Sequence, residues 1–174
     1  MVGHRLLDRA GAREATTVSA SPQPARRTEQ ISDLAERGQA LCLALDVESP
    51  EQIAHAVKTA EQHFGTIDVL VNNAGIGYFA SIEENEDQQI TRLFDINFRG
   101  TSRMIRAVVP GMRQRRSGLS VNLTSVGGLV GQPAVGYYCA TKFAVEGLSE
   151  ALRAETTPLG INVMTVDPSA FRTA

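Results

Sequence analysis

The sequence contains little cysteine, no large excess of charge and no long apolar run. Only two of its 174 residues are cysteines, which excludes a disulfide framework and favours a reducing, cytoplasmic setting. The formal net charge of −2 gives no basic surface of the kind that binds nucleic acid. No apolar stretch approaches the length of a membrane span, and the charged start lacks the apolar core of a secretory signal. We therefore expect a globular protein that neither binds nucleic acid nor spans a membrane.

The first 24 residues differ in composition from the rest of the chain. They contain two prolines among Arg, Ser and Thr, and no apolar run that could form a central strand. We interpret residues 1–24 as a disordered or misread segment. A transit peptide is the alternative, which the acidic Asp8 and Glu14 oppose. Residues 25–174 form the second unit, and the chain is long enough for one domain with a hydrophobic core.

From about residue 34 onward, strand and helix patterns alternate along the sequence. Apolar runs predict four strands, at 41–45, 67–71, 119–123 and 161–166. Helical spacing predicts three helices between them, at 50–64, 86–115 and 137–157. This alternation is typical of an α/β fold, in which helices cover both faces of a parallel sheet.

Local signals mark the ends of the first helix. Ser49 suits the N-cap position and Pro50 the first helical position, while Gln52 stands where the second member of a capping box belongs. Gly65 suits the residue that ends the helix. The sequence therefore predicts these two boundaries more sharply than the others.

Tyr138 and Lys142 lie four residues apart in the last predicted helix, which places both on one face. An ammonium group beside a phenol favours the phenolate, so a tyrosine so placed can act as an acid or base near neutral pH. The pair alone is weak support for catalysis, because the same spacing also occurs by chance between a surface lysine and a half-buried ring. Tyr137 is five residues from Lys142 and lies off this face.

Three further segments place polar or small residues where ligands bind in α/β proteins. Ser125 follows the third predicted strand, where a hydroxyl faces the crevice used by parallel sheets for ligands. Asn97 interrupts a helical pattern, although asparagine is unfavourable inside a helix. Residues 72–75, Asn-Asn-Ala-Gly, follow the second strand, where small residues let the backbone approach a flat ligand. Taken singly, Ser125 is more often a turn residue and Asn97 an exposed helix position, and residues 72–75 are equally explained as a strand-to-helix turn.

In their order and spacing these segments together resemble the short-chain dehydrogenase/reductase family, over about residues 25–174. The resemblance implies a Rossmann-like, doubly wound parallel sheet and hydride transfer between a nicotinamide cofactor and a carbonyl or secondary alcohol. It implies that Tyr138 is the acid or base, that Ser125 holds the substrate oxygen and that Lys142 binds the cofactor ribose and favours the tyrosinate. It also implies that Asn97 holds a water of the proton relay.

The resemblance further implies which residues bind the cofactor. They are Arg27, Asp46, Val47, Asn73, Ala74, Gly75, Tyr138, Lys142, Pro168 and Thr173. Arg26 and Arg27 stand where the family chooses between cofactors, and arginine can hold the 2′-phosphate of NADP(H). We therefore expect NADP(H) over NAD(H), with a solvated arginine pair as the alternative. No metal ligands are assigned.

The substrate implied is a small carbonyl or alcohol compound, and Gly127, Gly128, Leu129, Val130 and Val135 predict an apolar lining for it. Family members usually associate through the helices predicted here at 86–115 and 137–157, so a homo-oligomer is the implied assembly.

One family motif is absent from the sequence. The phosphate loop carries glycines at Gly-x-x-x-Gly-x-Gly spacing, but this chain has only Gly3 and Gly11 before Gly38. We therefore expect an incomplete fold that lacks the first strand and the last segment. Two interpretations stay open: an active oxidoreductase, and a catalytically inactive truncated remnant that at most pairs with an intact subunit. An epimerase acting on sugar nucleotides is a third, but it requires a large substrate domain for which the chain has no room.

Overall fold

The computed structural model describes residue 41 and residues 43–169. The helices of this part of the chain are α1 (Pro50–Phe64), α2 (Asp87–Phe94), α3 (Thr101–Arg115) and α4 (Gly136–Thr156). The strands are β1 (Val69–Asn72), β2 (Gly118–Leu123) and β3 (Ile161–Val166). A π-helical turn, Asp95–Gly100, joins α2 to α3, and short 3₁₀ turns occur at Ile82–Glu84, Val126–Gly128 and Thr157–Leu159. The boundary predicted between residues 24 and 25 lies outside the described residues.

The three strands form one parallel sheet in the order β1-β2-β3. In its register, Val71 pairs with Val121 of β2, and Val121 pairs with Met164 of β3. Side chains that alternate along the strands, among them Leu70 and Val163, point into the hydrophobic core under the helices. The predicted α/β architecture, an incomplete Rossmann-like parallel sheet, is therefore confirmed.

The predicted boundaries of α1 are also confirmed. Ser49 Oγ accepts a hydrogen bond from Gln52 N at 3.3 Å, and Gly65 ends the helix with a φ of 82°. The capping box is only half formed, because Gln52 Oε1 accepts from Asp46 N at 2.9 Å instead of from Ser49 N. Gln52 therefore connects the helix to the segment that precedes it.

The strand predicted at 41–45 was wrong. Residue 41 and residues 43–45 are irregular chain that leads into the turn before α1, and no described strand pairs with them. Its apolar character has another cause, because Leu45 and Val47 are buried in the hydrophobic core. An apolar run indicates burial, but a strand additionally requires a hydrogen-bonded neighbour.

The opposite face of the sheet is apolar and open. Val69, Val71, Met164 and Val166 point away from the described helices, and the exposed fractions of their side chains lie between 38% and 56%. The second helix layer of a doubly wound fold is not found within 43–169. No described helix has the length and apolar character needed to cross a bilayer.

Candidate active site

Asn97 lies in the π-helical turn and is almost fully buried, with 1% exposure. Its Oδ1 accepts from Ile76 N at 2.8 Å, and its Nδ2 donates to Ile76 O at 2.9 Å and to Thr141 Oγ1 at 3.1 Å. Both amide hydrogens are therefore used. The π turn explains how an asparagine is accommodated within a long helix, since such turns occur at functional sites and change the direction of side chains. Asn97 thereby ties the segment after β1 to α4.

Ser125 directly follows Thr124 at the end of β2 and caps the 3₁₀ turn Val126–Gly128. Its Oγ accepts a hydrogen bond from Gly127 N at 3.1 Å. A serine hydroxyl has one hydrogen to donate besides its acceptor lone pairs. Ser125 can therefore donate to an oxygen atom in the crevice without losing its own backbone contact.

Tyr138 and Lys142 lie in the first turns of α4, on one face as predicted. The Lys142 side chain is buried, its Nζ donates to Leu123 O at 2.9 Å, and Nζ lies 5.7 Å from the centroid of the Tyr138 ring. Burial lowers the pKa of Lys142 from 10.5 to about 8, because the charged form loses its solvation. Keeping the Lys142 ammonium group charged within the site therefore costs desolvation free energy.

Two glycines bring the four predicted catalytic side chains together. A Cβ atom on Gly75 would lie 3.4 Å from Asn97 Oδ1 and 3.7 Å from Lys142 Nζ. On Gly127 it would lie 3.4 Å from Tyr138 Cε1 and 3.6 Å from Ser125 Oγ. The backbone at Gly75 and Gly127 therefore runs close to the polar groups, and larger side chains at these positions would fill the space beside them.

The other predicted cofactor residues differ in how far they are exposed and in what they contact. Asn73 and Gly75 are exposed beyond β1, whereas Ala74 packs partly against the core. The Asp46 carboxylate accepts from Glu48 N at 2.9 Å, and the Val47 side chain is buried against the π turn. Pro168 follows β3 and is half-buried, and Arg27 and Thr173 lie outside the described residues.

The Val47 side chain explains why position 100 of the π turn is a glycine. A Cβ atom on Gly100 would lie only 2.7 Å from Val47 Cγ2, so the turn can approach this segment only with glycine there. Val47 thus packs against the turn that carries Asn97.

The loops that follow β1 and β2 carry exposed apolar side chains. Phe79, Ile82, Leu129 and Val130 lie on the loops after β1 and β2, with exposed fractions between 52% and 80%. A hydrogen bond from Ala80 N to Ala134 O, at 2.9 Å, joins the two loops. We call this surface the apolar rim.

Thr141 belongs to the site although the sequence argument did not select it. Its fully buried Oγ1 donates to Tyr138 O at 2.7 Å and accepts from Asn97 Nδ2. A threonine that bonds to a carbonyl three residues earlier is common in helices. Only its position between Tyr138 and Lys142 could have singled it out in the sequence.

Replacing Asn97 by alanine should destabilise the fold by about 2–4 kcal/mol, because the N–H and C=O groups of Ile76 lose their partner. Chemical denaturation measures this difference. The control is Asn85→Ala, which removes a half-buried amide with one bond, to Ser81 O, and should cost less than about 1 kcal/mol. Equal losses in the two variants would contradict the structural role assigned to Asn97.

Comparisons with known proteins identify the family of this chain. Residues 2–174 match the family model described as short chain dehydrogenase. A curated 3-ketodihydrosphingosine reductase of Bacteroides thetaiotaomicron is 40% identical over 136 residues, which cover 78% of this chain and 51% of that protein. The chain spans about half the length of the curated relatives it matches.

Two solved structures are similar in fold. A crystal structure of a short-chain dehydrogenase from Streptomyces avermitilis gives a TM-score of 0.83 at 40% identity, covering 91% of this chain and 58% of that one. The structure of ElxO with NADP bound gives a TM-score of 0.80 at 28% identity, covering 87% of this chain and 62% of that one.

Proposed function

Because this chain belongs to the short chain dehydrogenase family, we propose that it is an NADP(H)-dependent oxidoreductase that transfers hydride between the cofactor and a carbonyl or secondary alcohol. The observation that carries this proposal is the grouping of Ser125, Tyr138 and Lys142 around Gly75 and Gly127. In this proposal the hydroxyl donor, the phenol and the buried ammonium group act on one substrate oxygen.

The described residues fit the nicotinamide ribose end of such a cofactor. An ammonium group has three hydrogens, and Leu123 O takes one hydrogen of Lys142 Nζ. The remaining two can bind ribose hydroxyls. Gly75, which lacks a side chain, leaves the space next to Nζ open.

When bound, the cofactor supplies or accepts the hydride. Tyr138 gives its proton to the carbonyl oxygen during reduction and takes the alcohol proton during oxidation. Ser125 donates its hydroxyl hydrogen to the same oxygen, while its own oxygen stays bonded to Gly127 N. Lys142 favours the charged phenolate that forms when Tyr138 has given up its proton, because opposite charges attract in a partly dry site.

The substrate we propose is apolar. Four exposed apolar side chains make up the apolar rim, and such an exposed patch beside polar groups is typical of a ligand-binding surface. The preference for NADP(H) rests on Arg27, whose guanidinium can hold a 2′-phosphate. The NADP of the ElxO structure agrees with a nicotinamide cofactor.

We also propose a cytoplasmic homo-oligomer. The free, buried thiol of Cys139 suits a reducing compartment. On α4 the exposed positions Ala140, Phe143, Gly147 and Ala151 recur at helical spacing and form a mostly small, apolar stripe. A second copy of α4 could pack closely against such a stripe.

The second candidate is a catalytically inactive remnant that at most pairs with an intact subunit. One sequence observation favours it: residues 1–40 contain no glycine pattern of the phosphate-binding kind. That pattern is what presents the backbone N–H groups of a helix N-terminus to a pyrophosphate, and the sequence does not contain it.

A fluorescence titration of the 174-residue chain with NADPH and NADH distinguishes the two candidates. The enzyme should bind NADPH saturably and more tightly than NADH, whereas the remnant should bind neither. Gly75→Val should weaken NADPH binding about tenfold or more, because the added methyl groups fill the space beside Lys142 Nζ. Gly77→Val is the matched control, since nothing lies within 4 Å of a Cβ there. Equal binding by both variants would contradict the proposed cofactor position.

A further inference from the structure

Two carboxyl groups meet at one hydroxyl beside the candidate active site. Thr124 Oγ1 contacts both Glu146 Oε1 and Asp167 Oδ1. The three side chains come from the end of β2, the middle of α4 and the segment after β3. Thr124 is buried, Glu146 is half-buried and Asp167 is exposed.

The number of hydrogens at this cluster decides its protonation. A threonine hydroxyl has one hydrogen, so it can donate to only one of two ionised carboxylates. The second contact needs a hydrogen on a carboxyl group, which then donates to the lone pair of Oγ1. Without this hydrogen, two negative oxygens would face each other across a single donor.

We infer that Glu146 keeps a proton that it shares with the Thr124 hydroxyl, while Thr124 donates its own hydrogen to Asp167, and that these two hydrogen bonds hold the segment after β3 against α4. We call the three side chains the carboxyl latch. The latch lies one helical turn beyond Lys142 and adjoins Ser125 in sequence. If the proposed function is correct, the latch therefore holds two elements of the active site together.

The surroundings of Glu146 agree with a bound proton. Burial raises the pKa of Glu146 above its usual 4.5, and the neighbouring Asp167 raises it further, while hydrogen bonds from Thr124 and Thr165 oppose the shift. Along α4, Lys142 and Glu150 stand one turn before and one turn after. The Lys142 ammonium is directed at Leu123 O, and Glu150 is exposed, so Asp167 is the charged group that faces Glu146.

The latch should make stability depend on pH in a defined direction. A carboxyl group whose pKa is raised by folding stabilises the fold below its unfolded value, near 4.5. This contribution is lost as the pH rises through the folded value, when the second carboxyl ionises and repels the first. The melting temperature of the wild type should therefore fall between pH 5 and pH 8 by about 2–4 °C more than that of a variant without the shared proton.

Glu146→Gln and Asp167→Asn are the two variants that remove the shared proton. Each amide keeps the shape of the carboxyl group and supplies a permanent N–H donor, so both variants should lose this part of the pH dependence. Glu150→Gln, one turn further along α4, is the matched control and should keep it. The inference is overturned if Glu146→Gln and Asp167→Asn melt with the same pH dependence as the wild type and the control.

Infrared difference spectra give a second readout that needs no unfolding transition. As the pH is lowered from 8, the wild type and Glu150→Gln should gain the C=O band of one protonated carboxylic acid before the other carboxyl groups protonate, and the two latch variants should lack this early band. An identical band in all four proteins would overturn the inference. Neither measurement uses cofactor or turnover, so its outcome is independent of the proposed enzyme activity.

Discussion

Replacing Tyr138 by phenylalanine should lower the rate of NADPH-dependent carbonyl reduction by about 10²- to 10⁴-fold, because the variant has no proton to give to the substrate oxygen. The aromatic ring remains, and with it the packing against Gly127 and the proximity to Lys142. NADPH binding should weaken far less than the rate, although Tyr138 is one of the predicted cofactor residues, so that the loss appears mainly in kcat. Absorbance of NADPH during turnover of an apolar ketone measures the rate.

The matched control is Tyr137→Phe. Tyr137 is the neighbouring residue and is also half-buried, but it lies off the face that Lys142 occupies. This variant should keep the wild-type rate. A normal rate in Tyr138→Phe, or an equal loss in Tyr137→Phe, would remove Tyr138 from the role of acid and base.

Replacing Lys142 by methionine should abolish cofactor binding and at the same time stabilise the fold. Burial lowers the pKa of Lys142 from 10.5 to about 8, which corresponds to about 3 kcal/mol against the charged form. Methionine removes that charge and fills much of the same space, but it also removes the donor to Leu123 O, at about 1 kcal/mol. The free energy of unfolding at pH 7 should therefore rise by about 2 kcal/mol.

The stabilisation should depend on pH. Folding favours the neutral form of Lys142, so the wild type gains stability as the pH rises through 8 toward 10.5, while the methionine variant has no such group. The difference between the two proteins should therefore shrink over this range. Urea denaturation at pH 7 and pH 10 measures it.

Lys58→Met supplies the control for this experiment. Lys58 is the other lysine of the chain and is exposed on α1, so its replacement should neither change NADPH binding nor stabilise the fold as Lys142→Met does. A Lys142→Met variant that is less stable than the wild type at pH 7 would show that the buried charge is not a cost to this fold. Retained NADPH binding would remove Lys142 from the proposed cofactor site.

The sequence predicted those parts of the fold that depend on local signals. The boundaries of α1 follow from Ser49 and Gly65, and Tyr138 and Lys142 share a face because a helix repeats every 3.6 residues. The predicted strand at 41–45 failed because strand pairing depends on a neighbour, which the segment's own residues do not specify.

In the site, too, local sequence signals predict single residues but not the contacts between residues that lie far apart in the sequence. Asn97 was selected because it is unusual inside a helix, but its partner Ile76 lies 21 residues earlier and no pattern connects the two. Thr141 and Glu146 were missed because each has an ordinary place on an amphipathic helix. Their contacts with Asn97 and Thr124 arise only when α4 packs against its neighbours.

The π turn at Asp95–Gly100 has a consequence for how this helix can change in length. An extra residue in an α-helix rotates everything beyond it by about 100°, which would turn the buried side of α3 toward solvent. A π turn confines that rotation to one wide turn. The stretch from Asp87 to Arg115 therefore keeps the buried side of α3 on the core, while Asn97 within the wide turn reaches Ile76 and Thr141.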